Sequence, residues 1–300
     1  MTKFMIVDGN SLACRAEFAS NANDDLKNSK GKITGGTYRF INMFDRLLQQ
    51  LKPTHIVVVW DVNRNTWRRQ LYSEYKMNRE INPNNINKEN LHITYKDIKE
   101  ILNTIGILNI EFDGYEGDDL VGTFANISTA DKNFIISGDK DTFQLVDQYT
   151  NIIFPKNGFK ELEIINEEYI KNKYNVTPKQ FIELKALIGD MGDNIPGING
   201  CGEKSAVKLL QHFGNIKNII NNDNFDNIKG INKKIKNNIK DWQSMAEIIL
   251  KLVTIDKHVP IEIEFEDCIL NINWNNAINI FKELEFNSLI KKIDKLYKGE

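Results

Sequence analysis

The chain has 300 residues, of which 41% are hydrophobic and 10% aromatic, as is typical of a globular protein that builds its own core. No apolar run reaches the roughly 18–20 residues that a membrane helix requires, and the opening MTKFMIVDGN has no signal-peptide pattern. The formal net charge is −2, which argues against a polyanionic partner only if the charges are evenly spread. If the nine acids considered below form one metal site, the rest of the chain carries +7.

Short apolar runs that end in acids alternate with helical patterns along the first half of the chain. The runs that predict strands are KFMIVD (3–8), HIVVVWD (55–61), NIEFDG (109–114) and NFIISGDKD (133–141). Helices are predicted between them, over 35–51, over 91–105 and from residue 116. This alternation predicts an α/β fold with a mostly parallel sheet.

The pattern changes after about residue 150. Residues 151–165 predict a hairpin, and Asn166 is placed to cap the helix that follows. TPKQFIELKALIG (177–189) predicts a helix with a threonine cap, a proline in its first turn and a glycine after its end. We therefore predict an α/β core over residues 1–174 and a mainly helical region over 175–300.

Acids gather where the predicted strands end, namely at Asp8, Asp61, Glu116, Asp118, Asp119, Asp139 and Asp141. The carboxyl ends of parallel strands meet at one edge of a sheet, where ligands bind. Crowded anions need cations or protons, and with no His or Cys expected nearby the oxygen ligands indicate Mg²⁺ or Mn²⁺. Any one of these acids could instead be a helix cap or a turn former. The same placement on four segments favours a metal site.

The segment GDMGD supplies two further acids, Asp190 and Asp193. They are three residues apart, which on a helical turn places both on one face. Two acid clusters suggest two metal ions ~3.5–4 Å apart, an arrangement that serves phosphodiester hydrolysis.

A glycine-rich turn follows, with Gly197, Gly200 and Gly202 before a predicted amphipathic helix. Such a turn lets backbone N–H groups approach a phosphate, and Lys204 and Lys208 add positive charge. A P-loop fits poorly because Glu203 occupies the position of its lysine and no strand precedes it. A helix–turn–helix that grips a nucleic-acid backbone fits better, and an ordinary helical hairpin stays an alternative.

Residues 64–80 are basic, aromatic and helix-compatible. Cations at Arg64, Arg68, Lys76 and Arg79 interleave with Trp67, Tyr72 and Tyr75. Lys76 and Arg79 are expected to share a helix face. Such a stretch suits a single strand, with rings stacking on bases and cations meeting phosphates. The alternative is that the aromatics pack on the domain and the cations form a solvated face.

In order, MIVDGN, VVVWD, EYKMNR, EGDDL, SGDKD and LKALIGDMGDNIPGINGCGEKSA resemble the 5′ nuclease (flap endonuclease) family, including bacteriophage 5′ nucleases and the 5′-nuclease domain of bacterial DNA polymerase I. The resemblance runs from residue 5 to about residue 214. It implies a PIN-like α/β nuclease core, a helical arch (about 64–106) and a helix–three-turn–helix element (about 178–214) that holds duplex DNA.

The resemblance also implies roles for single residues. Asp8, Asp61, Glu116, Asp118 and Asp119 would form the first metal cluster, and Asp139, Asp141, Asp190 and Asp193 the second. Lys76 and Arg79 would contact the scissile phosphate, Tyr75 would stack on the terminal base, and Lys185 would lie near the second cluster. The glycine turn at 197–202 would bind the duplex backbone, with K⁺ as an associated ion.

We therefore expect a cytoplasmic monomeric enzyme (in the host cytoplasm if phage-encoded) that uses two Mg²⁺ or Mn²⁺ ions on branched or nicked duplex DNA with a 5′ flap of DNA or RNA. A single-strand-binding protein or a polymerase would be its protein partner, and no membrane partner is expected. Three scattered cysteines, Cys14, Cys201 and Cys268, fit a reducing compartment. Two alternatives stay open, a PIN-like metal-dependent ribonuclease and a non-catalytic protein that binds branched DNA.

Overall fold

The computed structural model describes residues 1–18, 26–78, 88–156, 161–222, 225 and 228–298. The strands are β1 Lys3–Asp8, β2 His55–Trp60, β3 Asn109–Glu111, β4 Lys132–Ile136, β5 Thr150–Lys156, β6 Glu161–Ile165, β7 Gly189–Asp190 and β8 Ile195–Pro196. The first helices are α1 Gly9–Phe18, α2 Gly35–Leu51, α3 Trp67–Leu71, α4 Lys88–Thr104, α5 Gly117–Ile127, α6 Glu167–Tyr174 and α7 Pro178–Ile188. The later helices are α8 Glu203–Phe213, α9 Ile216–Ile220, α10 Lys233–Trp242, α11 Ala246–Val253, α12 Ile278–Glu283 and α13 Asn287–Lys298. Short 3₁₀ helices cover Lys140–Leu145, Gln243–Met245, Phe265–Cys268 and Trp274–Ala277.

Six strands form one sheet in the order β3-β2-β1-β4-β5-β6. The first five are parallel, and β6 pairs antiparallel with β5 at one edge. The chain continues from β1 to β2 on one side and returns to β4 on the other, so the strand order reverses between β1 and β4. Ligands bind beside such a reversal point in open parallel sheets. The predicted α/β class with a mostly parallel sheet is confirmed.

Both faces of the sheet are covered, as its near-continuous apolar strands require. On one face, Phe4, Ile6 and Val57 pack against α5 and against the helices that follow residue 170. On the other face, Met5, Val7 and Val58 pack against α1, α2 and α4. Asp8 and Trp60 therefore emerge from strands whose other side chains are fixed by packing.

The last helices return to this second face. Trp274, Phe281 and Leu289 lie in the same buried cluster as Met5 and Trp60. The helical region predicted over 175–300 thus contributes to two cores, because residues 274–293 pack on the N-terminal half. The division at residue 174 stays a prediction.

Helix α7 begins and ends as its sequence predicts. Thr177 accepts a hydrogen bond from the backbone N–H of Gln180, Pro178 lies in the first turn, and Gly189 follows the end with φ +79°. Within the residues that the structure describes, no helix is long and apolar enough to cross a membrane.

Two local predictions of helix are wrong. Asp190 ends strand β7 and Asp193 lies in the turn that leads to the antiparallel strand β8, where Asp190 Oδ1 accepts the backbone N–H of Gly192 at 2.8 Å. Lys76 lies in a turn with φ +57°, which a helix does not allow, and Arg79 lies outside the described residues. The short aspartate side chain stabilises the turn locally, which explains the first difference.

Candidate active site

A cavity of about 1220 Å³ lies at the carboxyl edge of the sheet. Eight of the nine predicted ligand acids line it: Asp8, Asp61, Glu116, Asp118, Asp139, Asp141, Asp190 and Asp193. Four of the predicted cations line it too: Arg64, Arg68, Lys76 and Lys185. The structure thus brings together side chains from six segments that are up to 185 residues apart.

Asp8 and Asp61 are held at the ends of β1 and β2 by hydrogen bonds from neighbouring loops. The backbone N–H of Ser11 donates to Asp8 Oδ1 at 2.9 Å, and Ser137 Oγ donates to Asp8 Oδ2 at 2.9 Å. The backbone N–H of Gly117 donates to Asp61 Oδ1 at 2.6 Å. Ser11 and Ser137 were not predicted, although both lie within three residues of a predicted acid.

Glu116 is the N-cap of α5 and faces the base of the predicted arch. Lys76 Nζ donates to its Oε1 at 2.8 Å, and the Tyr75 hydroxyl donates to its Oε2 at 3.0 Å. The backbone N–H of Lys76 donates to the Asp193 carbonyl at 2.9 Å. Lys76 Nζ also lies 4.0 Å from Asp193 Oδ2, so its ammonium is between a first-cluster acid and a second-cluster acid.

The second group of acids surrounds Lys185, which lies in the last turn of α7. Its ammonium contacts Asp141 and lies 3.0 Å from Asp190 Oδ2. Asp139 caps the 3₁₀ helix that follows β4 and accepts the backbone N–H of Asp141 at 2.9 Å. Lys185 therefore neutralises part of the negative charge that the two loops bring together.

The crowding of acids changes their proton affinities. Burial, with the charges of Asp61 and Asp139, raises the pKa of Asp8 to about 7. Burial and Asp139 raise the pKa of Asp141 to about 6, although Lys185 opposes them. For Asp118, burial and four neighbouring acids raise the pKa well above its ordinary value. Burial also acts on Asp190, but Lys185 outweighs it and lowers the pKa.

These properties fit divalent cations held by oxygen ligands. Anions that are driven to bind protons or lysine ammoniums are anions that a cation would stabilise. Among the described residues, no group of three or more Asp, Glu, His or Cys side chains has a geometry that could hold a metal ion as it stands. The two predicted clusters therefore stay predictions, and metal binding requires these carboxylates to converge.

Cys14 also lines the cavity, so the expectation of no nearby cysteine was wrong. Its Sγ lies 3.3 Å from the Tyr95 hydroxyl, and burial raises the pKa of the thiol. The three cysteines are free, as predicted.

Asp119 is not placed as a metal ligand. Its carboxylate accepts Arg68 Nη1 and Nη2, both at 2.7 Å, and its side chain is 0% exposed. It does not line the cavity with the other eight acids. Asp119 therefore serves the fold, and its assignment to the first cluster is corrected.

Arg68 and Tyr75 are corrected for related reasons. The Arg68 guanidinium also donates to the carbonyls of Leu252 and Thr254, at 2.9 and 2.8 Å, so it has no donor directed at DNA. Tyr75 is 4% exposed and its hydroxyl is bound to Glu116, so its ring cannot stack on a base. Lys76, 23% exposed at its side chain, stays a candidate.

The glycine turn has two different parts. A Cβ at Gly197 would lie 2.1 Å from the Ile188 carbonyl oxygen, so packing within the protein requires this glycine, and its contact with DNA stays a prediction. Around Gly200 and Gly202 there is open space, and Gly202 caps α8. Lys204 and Lys208 follow on the exposed side of α8. Gly200, Gly202 and the two lysines stay predicted DNA contacts.

Comparisons with known proteins agree with this geometry. Residues 3–175 match the family model "5′-3′ exonuclease, N-terminal resolvase-like domain", and residues 176–276 match "5′-3′ exonuclease, C-terminal SAM fold". The chain belongs to the 5′-3′ exonuclease family, a family of nucleases, and the resemblance seen in the sequence is confirmed.

DNA polymerase I of Bacillus subtilis is 35% identical over 294 residues, which cover 97% of this chain and 32% of that protein. The enzyme of Lactococcus lactis subsp. cremoris is 37% identical, covering 97% of this chain and 33% of that protein. The chain thus spans about a third of the length of these relatives.

Solved structures share the fold. A complex of the bacteriophage T5 D15 flap endonuclease with DNA and metal ions has a TM-score of 0.71 at 23% identity, over 85% of this chain and 90% of that one. The catalytic core of Rad2 with a DNA substrate has a TM-score of 0.59 at 22% identity, over 94% and 87%.

Proposed function

We propose that the chain is a structure-specific 5′ nuclease that hydrolyses phosphodiester bonds near the 5′ ends or flaps of duplex DNA with the help of two divalent cations. The observation that carries the proposal is the cavity in which eight acids from separate segments meet Lys76 and Lys185. Family membership gives the reaction class, and the T5 and Rad2 structures, which hold DNA, support the substrate class.

Each part of the cavity has a task in this proposal. Asp8, Asp61, Glu116 and Asp118 hold one Mg²⁺ or Mn²⁺, and Asp139, Asp141, Asp190 and Asp193 hold the other. When bound, such ions polarise a phosphodiester and supply a nucleophile at neutral pH. Ser11 and Ser137 keep the Asp8 carboxylate oriented for binding, as hydrogen-bonded carboxylate ligands generally are.

Lys76 is the candidate group for the scissile phosphate. Its ammonium reaches into the cavity from the turn that begins the arch, and it donates to Glu116 Oε1 at 2.8 Å. An ammonium beside the reacting phosphate offsets negative charge that develops in the transition state. Arg79 keeps the same predicted role.

The finer assignments belong to the same proposal. K⁺ at the glycine turn, action on RNA as well as DNA flaps, a monomeric state and a cytoplasmic location stay predictions. A polymerase as partner is supported by relatives that are named DNA polymerase I, of which the chain matches about a third. A single-strand-binding protein stays a predicted partner.

The decisive experiment is cleavage of a labelled 5′-flap duplex in Mg²⁺ by the wild type, by Asp141→Asn and by Glu247→Gln. Loss of a metal ligand removes several kcal/mol of transition-state stabilisation, so we expect Asp141→Asn to be slower by roughly 100-fold or more. The Glu247→Gln variant should cleave at the wild-type rate, because Glu247 is exposed and pairs only with Lys251 among the contacts described.

The other outcomes separate the alternatives. Cleavage of linear RNA with no activity on the flap indicates a ribonuclease. Flap binding without cleavage, unaffected by Asp141→Asn, indicates a non-catalytic DNA-binding protein. Equal rates for Asp141→Asn and the wild type overturn the metal mechanism.

A further inference from the structure

Lysines are concentrated on the part of the chain that surrounds the glycine turn. Residues 194–240 contain eight lysines and three acids, a formal charge of +5 in a chain whose total is −2. The rest of the chain is therefore acidic. Charge gathered on one segment of a protein with no net positive charge is the electrostatic pattern of a polyanion-binding surface.

Helix α10 is fixed against the glycine turn. Asn238 Nδ2 donates to the Asn199 carbonyl at 2.6 Å, and Trp242 Nε1 donates to the Pro196 carbonyl at 3.2 Å. Ile235 and Ile239 are buried beneath them. One side of α10 thus lies beside the turn.

Lys234 lies on that side of α10. It precedes Asn238 by four residues, one helical turn, and its side chain is exposed. Lys240 lies about 120° away around the helix from Lys234, given the ~100° that each residue turns. Lys234 and Lys240, two of the four lysines of α10, therefore differ in whether they border the glycine turn.

The loop before α10 is joined to α8, the helix that follows the glycine turn. Lys208 Nζ donates to the Lys229 carbonyl at 2.9 Å, and Gly230, with φ +98°, passes close over that ammonium. Lys229 is exposed beside it. Lys208 on α8 is thus joined to Lys229, and the backbone at Gly200 and Gly202, just before α8, is open.

We propose that Lys229 and Lys234 form a second contact with the phosphate backbone of the duplex that the glycine turn binds. The inference rests on the proposed function, since it assumes a duplex at that turn. Lysine ammoniums meet phosphates as point charges and carry no base readout, so the contact strengthens binding uniformly across sequences. The competing reading is that these lysines form an ordinary solvated helix face.

The test compares Lys229→Ala/Lys234→Ala with Lys240→Ala on a 5′-flap duplex. We expect the double variant to raise KM about tenfold at unchanged kcat, and to flatten the slope of log Kd against log[KCl] by about 0.9 per lost contact. Lys240→Ala should stay within about twofold of the wild type, because that charge lies away from the turn. Each duplex arm of the substrate is then shortened in turn. For one of the two arms, shortening should remove the difference in KM between the double variant and the wild type.

An unchanged salt slope, or an equal loss in Lys240→Ala, overturns the proposal in favour of a solvated face. If the double variant also binds single-stranded DNA more weakly than the wild type by the same factor, the assignment of this contact to the duplex is overturned. Failure of the proposed function is distinct, since the wild type would then not cleave the flap at all. The altered lysines are exposed, so unchanged melting temperatures show that the variants are folded.

Discussion

Arg68 was predicted to contact DNA, but its side chain is bound within the protein. Its guanidinium makes a bidentate pair with Asp119 and also binds two carbonyls at the end of α11. Burial disfavours its charge, but the hydrogen bonds that Arg68 donates to Asp119, with the negative charge of that carboxylate, prevail and raise the pKa of Arg68. The pair therefore joins the start of the arch, the start of α5 and the end of α11 at one buried point.

We expect Arg68→Met to lower the free energy of unfolding by about 3–5 kcal/mol, because it leaves the Asp119 carboxylate buried without its cation. Urea denaturation at constant m-value measures this change. Adding Asp119→Leu to Arg68→Met should cost less than the sum of the two single changes, since no unpaired charge remains.

Lys251→Ala is the matched control, because Lys251 pairs with Glu247 on the surface with 57% of its side chain exposed. Exposed pairs contribute about 0–1 kcal/mol. A cost for Arg68→Met no larger than that of Lys251→Ala would contradict a structural role for the buried pair.

The difference between Asp118 and Asp119 was beyond sequence reasoning. Both are acids in one short motif, and the motif predicts only that the helix begins there. Asp119 turns inward because its partners lie 51 residues earlier, at Arg68, and 137 residues later, at the backbone N–H of Asp256. Tyr75 is buried for a similar reason, since Glu116 and Asp193 close over its hydroxyl.

At the scale of elements, the strands and caps followed from local chemistry. The apolar runs fix β1, β2 and β4, and their final acids come to the sheet edge because parallel strands place their carboxyl ends there. Thr177 and Gly189 mark the ends of α7 by the hydrogen bonds and backbone angles that those residue types favour. The β7–β8 turn was missed because a spacing of three fits a helical turn and an aspartate turn equally well.

That turn depends on a close approach of two backbones, which gives an element-scale prediction. A Cβ at Gly197 would lie 2.1 Å from a backbone oxygen of Ile188, whereas a Cβ at Gly202 would meet nothing within 4 Å. We expect Gly197→Ala to destabilise the protein by about 1–3 kcal/mol, as forced overpacking does. Because the displaced β7–β8 hairpin carries Asp190 and Asp193, flap cleavage should fall as well.

Gly202→Ala is the comparison for this prediction. The fold should tolerate it to within about 1 kcal/mol, the usual range for a changed N-cap. If the backbone at Gly202 approaches DNA, KM for the flap substrate should rise while the melting temperature stays near that of the wild type. Equal stability of Gly197→Ala and Gly202→Ala would contradict the distinction between a packing glycine and an exposed one.

For the whole molecule, the acids of the cavity oppose folding unless cations neutralise them. Mg²⁺ that binds only the folded chain stabilises it by about 2.7 kcal/mol per site at a concentration 100 times its Kd. We therefore expect the melting temperature to rise with Mg²⁺ in the wild type and in Glu247→Gln. The rise should be smaller in Asp141→Asn, and a rise equal in all three would contradict metal binding at this cavity.

The C-terminal segment joins the two halves of the chain, and no sequence motif marks it because its packing needs only apolar side chains at the right spacing. Phe281 is 0% exposed and packs against Trp274 and Phe286, while the carbonyl of Glu283 accepts Asn28 Nδ2 at 3.1 Å. We expect Phe281→Ala to cost about 3–5 kcal/mol through the cavity it leaves. Since this cluster lies on the back of the same sheet that carries Asp8 and Asp61, unfolding should remain one transition, with fluorescence and flap cleavage lost together.

Ile269→Ala, at a side chain 59% exposed, should cost far less. Two separate unfolding transitions in Phe281→Ala, with flap cleavage retained after the first, would show that the C-terminal segment is not part of the nuclease fold.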